Sequence, residues 1–171
     1  MTDRHRFMEE ALSEAAAALR LGEFPVGCVI VHAGRIVGRG GRRRSGVESG
    51  PVANEIDHAE ILALRDLLER APGVPTAEVT VYATLEPCLM CYAALLISGV
   101  RSLVYAYEDV MGGGTSLDLG RLTPLYRTMA VSITPHILRE RSLHLFQEFF
   151  RASANPYLRG TLLADYTLAQ R

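Results

Sequence analysis

No stretch of this chain reaches the ~20 consecutive apolar residues that a bilayer-spanning helix needs, although 49% of its 171 residues are hydrophobic. A membrane-spanning role is therefore not expected. Net charge is scarce too: 18 basic residues nearly cancel 19 acidic ones and leave −1 at neutral pH. With no overall positive field, any polynucleotide partner must be held by a local patch. Cysteine occurs only three times, at Cys28, Cys88 and Cys91. An odd count with only two members close in sequence argues against a secreted disulfide framework and for a reducing, cytoplasmic setting. The charged residues within Met1 to Arg6 are followed by Glu9, Glu10 and Glu14, which interrupt any apolar export signal. Internal repeats and low-complexity segments are absent.

What is present suits a soluble α/β chain of average composition. Its length accommodates one core-forming domain, read as residues 1–151, with a C-terminal tail over 152–171. Behind Thr2 or Asp3 as a cap, Phe7, Met8, Ala11, Leu12, Ala15, Ala18 and Leu19 recur at helical spacing as far as Leu21. Val26 to Val31 is nearly all apolar and reads as a buried strand covered on both faces. Ala33-Gly34 turns it into an antiparallel edge strand over Arg35 to Gly38, and residues 39–56 read as loop. A second amphipathic helix spans His58 to Arg70 and stops at Ala71-Pro72-Gly73. Strands over Val79–Tyr82 and Leu103–Ala106 flank a helix introduced by Pro87 and ending near Gly99. Gly112-Gly113-Gly114 opens a long connection, followed by a short strand around Val131 to Thr134 and a helix from Pro135 to about Phe150. Residues 161–168 read as a short helix in the tail. Together these elements make a mixed sheet between helical layers, a three-layer α-β-α arrangement.

Two signals about thirty residues apart carry the chemistry. His58-Ala59-Glu60 opens one helix, and Pro87-Cys88-Leu89-Met90-Cys91 opens another. Alone, a CxxC could be a redox pair or half a structural zinc site, and an HxE arises readily by chance. A redox pair wants a thioredoxin-like flank, and a closed structural site wants a fourth Cys or His nearby; the sequence supplies neither. Together they leave one His and two Cys, a catalytic zinc set with one position free for water. This pairing is the signature of zinc deaminases acting on nucleobases. A helix N-terminus stabilises thiolates, so Cys88 and Cys91 are prepared to bind Zn2+ near neutral pH. Glu60, not needed as a ligand, is the candidate general acid–base. Cys28 lies within an apolar strand and reads as core, while His5, His32, His136 and His144 have no paired ligand motif.

With these residues in view, the chain resembles the cytidine deaminase-like superfamily, and within it the tRNA adenosine deaminases, over roughly residues 5–150. The likeness rests on Gly22-Glu23-Phe24-Pro25-Val26-Gly27, on His58-Ala59-Glu60-Ile61, and on Thr84-Leu85-Glu86-Pro87-Cys88-Leu89-Met90-Cys91 followed by Ala93 and Ala94. The resemblance implies a five-stranded sheet flanked by helices, a homodimer with the active site near the subunit interface, His58, Cys88 and Cys91 as zinc ligands, and Glu60 as proton shuttle. The chain departs from the tRNA enzymes in three places. Gly40-Gly41-Arg42-Arg43-Arg44 stands where an Asn usually touches the purine. Ser45 to Asp57 is longer than usual, with Asn54-Glu55-Ile56-Asp57 in place of Asp-Pro-Thr-Ala before the His. The glycine-rich segment at Gly112 to Ser116 is shortened.

Two substrate readings follow within one chemistry. Arg39, Arg42, Arg43 and Arg44 could contact tRNA phosphates, with Arg42, Arg43 and Arg44 the candidate substrate-binding residues, or could form a solvated surface. A free base or nucleoside of guanine, cytosine or adenine type needs no such patch. A non-catalytic partner subunit would keep zinc and lose the glutamate, and Glu60 is present.

Overall fold

A computed structural model describes residues 2–45, 54–152 and 155–170. Helix α1, Asp3–Arg20, begins at Thr2, whose side chain accepts a hydrogen bond from the His5 N–H. It buries Phe7, Met8, Ala11, Leu12, Ala15 and Ala18, the stripe its periodicity predicts. Strands β1, Gly27–His32, and β2, Arg35–Gly41, form the expected hairpin, with β2 at the sheet edge. Helix α2 spans Ala59–Arg70, β3 Thr80–Leu85, α3 Leu89–Ile97 and β4 Ser102–Tyr107. They are followed by α4, Pro124–Arg127, β5, Ser132–Thr134, α5, Arg139–Arg151, and α6, Leu162–Ala169.

The five strands run in the order β2-β1-β3-β4-β5. The β1 pairings are antiparallel, and β3-β4 and β4-β5 are parallel, so the sheet is mixed. Alternation along β1 divides the core. Val29 and Val31 join Tyr82, Val104 and Ala106 beneath α1. Cys28 and Ile30 face the other way, onto Ala63, Leu67, Tyr92 and Leu95 of α2 and α3. The three-layer arrangement is the one expected, and its place between helices is why β1 is apolar from Cys28 to Val31, with the polar His32 only at its end. No helix among the described residues is long and apolar enough to cross a membrane.

Three boundaries differ from the sequence reading. The edge strand continues through residues 39–41, which were expected to be loop, and the ladder pairs Val29 with Arg39 and Cys28 with Gly40. Its glycines weaken strand propensity but let α2 lie directly on the strand. A Cβ on Gly40 would sit 2.2 Å from the Ala59 carbonyl oxygen and 2.6 Å from the Ala63 nitrogen, and one on Gly38 2.5 Å from the Ala63 oxygen. The helix expected from Pro135 begins only at Arg139, because the intervening chain is held against the sheet. The Ile137 N–H donates to the Tyr105 carbonyl at 3.1 Å, and His136 and Leu138 take positive φ. The long connection also contains α4, which its short apolar pattern did not reveal. Most of the expected loop 45–57, residues 46–53, lies outside the described residues.

The seat of α2 on β2 yields a direct expectation. Gly40→Ala should destabilise the protein by about 1–3 kcal/mol through overpacking, read as a lower midpoint in chemical denaturation. An unchanged midpoint would mean that α2 is not held at this distance.

Candidate metal centre and active site

The N-termini of α2 and α3 open at the same end of the sheet. His58 is the residue immediately before α2, and Cys88, which leaves β3 after Glu86-Pro87, is the residue immediately before α3. Cys91 lies in the first turn of α3. The side-chain atoms of His58, Cys88 and Cys91 that could serve as ligands all lie within 4.8 Å of one another, and no other His, Cys, Asp or Glu joins the group among the described residues. His58 Nδ1 stands 3.5 Å from Cys88 Sγ and 3.4 Å from Cys91 Sγ. Tetrahedral zinc with Zn–S near ~2.3 Å and Zn–N near ~2.05 Å requires N···S separations of about 3.6 Å. The donor set and its spacing fit that ion, with one coordination position left over.

Without a metal, the two thiols divide their protons unequally. The hydrogen bond from Cys91, with help from His58, holds the Cys88 thiol down to about 4 despite its partial burial. The same bond, with burial and the charge of Glu60, pushes Cys91 upward. One proton is thus shared by the pair, and a cation bound between the sulfurs would displace it.

Glu60, in the first turn of α2, is 3% exposed. Its Oε2 has no hydrogen-bond partner. Burial raises its pKa, with His58 opposing. A buried carboxylate with an unused oxygen beside a metal set is suited to take up and return protons near neutral pH. Cys28 is fully buried in the core, as expected, and its thiol is pushed up by burial.

His58, Glu60 and Cys88 share one cavity of about 190 Å3, whose other walls include Phe24, Val26, Leu85, Arg42, Tyr157, Leu158 and Leu163. The loop after β4 is stitched over its rim. Gly114 donates to the Pro87 carbonyl at 2.9 Å, and Glu86 accepts from the Asp109 and Thr115 N–H groups at 3.2 Å. A Cβ on Gly114 would sit 2.7 Å from the Leu89 backbone, which explains one glycine of the segment at 112–116.

The arginine cluster divides. Arg39 is on β2 and is engaged by Glu10 at 2.8 Å and Glu14 at 3.3 Å, both on α1. Arg43 and Arg44 are exposed. Arg42, expected with them as a phosphate contact or solvated side chain, is instead 3% exposed and lines the cavity. Leaving an edge strand, alternate residues turn to opposite sides, and Arg42 turns inward. The tail contributions of Tyr157, Leu158 and Leu163 were missed altogether. Their sequence signal was the paired apolar residues Tyr157-Leu158 and Leu162-Leu163.

Cys88→Ala and Cys91→Ala should each lose stoichiometric zinc, whereas Cys28→Ala should keep it and cost only some stability through a small cavity. Zinc retention in the wild type and in Cys28→Ala should weaken as pH falls, because protons compete for the same thiolates and imidazole. Elemental analysis after dialysis reads both; zinc kept by Cys91→Ala and lost by Cys28→Ala would overturn the arrangement.

The cytidine and deoxycytidylate deaminase zinc-binding region matches residues 1–107. The tRNA-specific adenosine deaminase of Streptococcus pyogenes is 32% identical over 145 residues, 85% of this chain and 88% of the relative. That of Agrobacterium fabrum is 32% identical over 152 residues, 88% of this chain and 96% of the relative. A solved structure from work on A-to-I editing by tRNA deaminases at the wobble position of transfer RNA superposes with a TM-score of 0.67 at 30% identity, over 82% of this chain and 98% of that one. The guanine deaminase from Nitrosomonas europaea has the same fold, with a TM-score of 0.67 at 21% identity over 85% and 83% of the two chains. With a family match across more than half of its length and relatives over nearly all of it, the chain belongs to the cytidine and deoxycytidylate deaminase zinc-binding family and is a zinc-dependent hydrolytic deaminase.

Proposed function

We propose that the protein deaminates adenosine in tRNA to inosine, with residues 1–151 as the catalytic unit and Tyr157, Leu158 and Leu163 of the tail lining its pocket. The observation that carries this reading is the buried carboxylate of Glu60, with one oxygen unpartnered, beside a His/Cys/Cys group on the wall of a largely apolar cavity, in a chain whose relatives bear the name tRNA-specific adenosine deaminase.

His58 Nδ1 and the Cys88 and Cys91 sulfurs would hold zinc. When bound, the ion supplies Lewis acidity that brings the pKa of a water toward ~7. Glu60 would take a proton from the attacking water. Its raised pKa lets it carry the proton to the ring nitrogen next to the reacting carbon; it then takes the proton of the hydroxyl added to that carbon and delivers it to the departing amine. A C–O bond forms and a C–N bond breaks, so water is consumed, ammonia leaves and the base becomes an oxo-base. Phe24, Val26 and Leu85 pack the ring and exclude bulk water, which strengthens each charge interaction at the reacting atoms.

A second reading, a free-base or nucleoside deaminase, is favoured by the tail. Tyr157, Leu158 and Leu163 line the same cavity as the catalytic groups, and a detached base needs no opening in that roof for a polynucleotide. Homodimerisation is supported by apolar side chains left exposed beside the site, Leu89 of α3 with Val110 and Met111. A tRNA substrate would put the activity in the cytoplasm.

Unmodified tRNA, nucleosides and free bases, scored for ammonia and inosine, separate the readings. Inosine in tRNA supports the first, turnover of free bases alone transfers the assignment to the second, and no ammonia from any of them overturns both. Glu60→Ala and Glu60→Gln should fold, keep zinc and lose at least ~10²–10⁴-fold in turnover. Zinc lost from both variants would make Glu60 a ligand, and retained turnover would remove it from the chemistry. Sedimentation should give twice the monomer mass.

A further inference from the structure

Arg42 is a buried cation that the chemistry above does not use. Its backbone N–H donates to the Val26 carbonyl at 2.8 Å, which fixes it beside the apolar wall. Its side chain is 2% exposed. Nη2 donates to Glu55 Oε2 at 2.9 Å and to the Tyr157 hydroxyl at 3.2 Å, and that hydroxyl donates to the same carboxylate oxygen at 2.9 Å. The loop before α2 and the tail thus clamp one edge of the guanidinium. Nη1 is buried and has no hydrogen-bond partner.

A guanidinium has five N–H donors and no acceptor, and a buried charged donor left unmade is costly. The adjoining wall of Phe24, Val26, Leu85 and Leu158 offers Nη1 no side-chain acceptor, and the carboxylates that also line the cavity, Glu60, Glu86 and Asp109, make no hydrogen bond to it. We propose that Arg42 is a specificity-determining residue that donates to an acceptor on the base, a ring nitrogen lone pair or a carbonyl oxygen, at an edge away from the reacting carbon. Glu55 and Tyr157 are positioning residues that hold the guanidinium for this contact. The inference rests on the deaminase reading of the cavity and adds what the pocket selects.

The test uses the zinc-loaded full chain and its Arg42→Met and Arg42→Lys variants. Binding of adenine, 3-deazaadenine, 7-deazaadenine, hypoxanthine and guanine is measured by calorimetry, with kcat and KM for every base that turns over. Arg42→Met should bind its preferred base about 10–100-fold more weakly with kcat changed far less, and Arg42→Lys should recover part of the loss. If the acceptor is a ring nitrogen, wild type loses the same factor against one deaza analogue, and Arg42→Met loses nothing further against it. If it is a carbonyl, wild type prefers hypoxanthine or guanine over adenine and Arg42→Met does not. Equal affinity of Arg42→Met and wild type for every base, a uniform loss that no analogue reproduces, or a wild type that binds none of these bases overturns the proposal. Failure of the deaminase reading appears separately, as wild type that binds a base and releases no ammonia from any substrate.

Discussion

Helix α2 can bring His58 and Glu60 over the two cysteines only because its backbone lies directly on the edge strand. Gly38 and Gly40 leave no Cβ where the Ala59 and Ala63 backbone atoms sit, and Ala59 and Ala63 are themselves fully buried. At ordinary helix–sheet distance the imidazole would be carried away from the sulfurs by more than a metal–ligand bond tolerates. The contact is therefore a constraint on chemistry as much as on stability. The mixed sheet supplies the other half, since β3 ends at Leu85 and releases Cys88 at the start of α3.

Two helix N-termini facing one point also answer an electrostatic difficulty. A thiolate pair and a carboxylate crowded together would repel and tend to stay protonated, which is the behaviour of Cys91 and Glu60 without a cation. The positive ends of two helix dipoles lower the cost of that negative charge, and a divalent cation between the sulfurs removes most of the remainder. Burial, the largest influence on Glu60, raises its proton affinity, which suits a carboxyl that must both take and give a proton.

The cavity gains its shape from chain segments far apart in sequence. Phe24 packs against Phe146, Phe149 and Tyr157 with ring centroids 5.2–5.3 Å apart, which ties the segment before β1 to α5 and the tail. Asn155 donates to the Gly22 carbonyl at 2.6 Å, closing the same connection. The tail is thereby continuous with the core, through Leu163, Ala164 and Thr167 of α6, and its Tyr157, Leu158 and Leu163 line the cavity that holds the catalytic groups.

Local pattern by itself determined α1, α2 and α3, the apolar central strand and the grouping of His58, Glu60, Cys88 and Cys91 as one chemical set, because ligand spacing and helical period act over a few residues. The β-strand alternation that buries Val29 and Cys28 on opposite faces is likewise a period-two property of the chain. The inward turn of Arg42 was decided only by tertiary structure, because Glu55 and Tyr157, its partners, lie 13 and 115 residues away. In an arginine run such a residue looks like its exposed neighbours Arg43 and Arg44. The extension of β2 through Gly40 was hidden for the same reason: glycine reads as loop until a helix backbone occupies the space that its missing side chain leaves. The short α4 and the late start of α5 depended on hydrogen bonds to the sheet, such as that of Ile137 to Tyr105, which no local periodicity encodes.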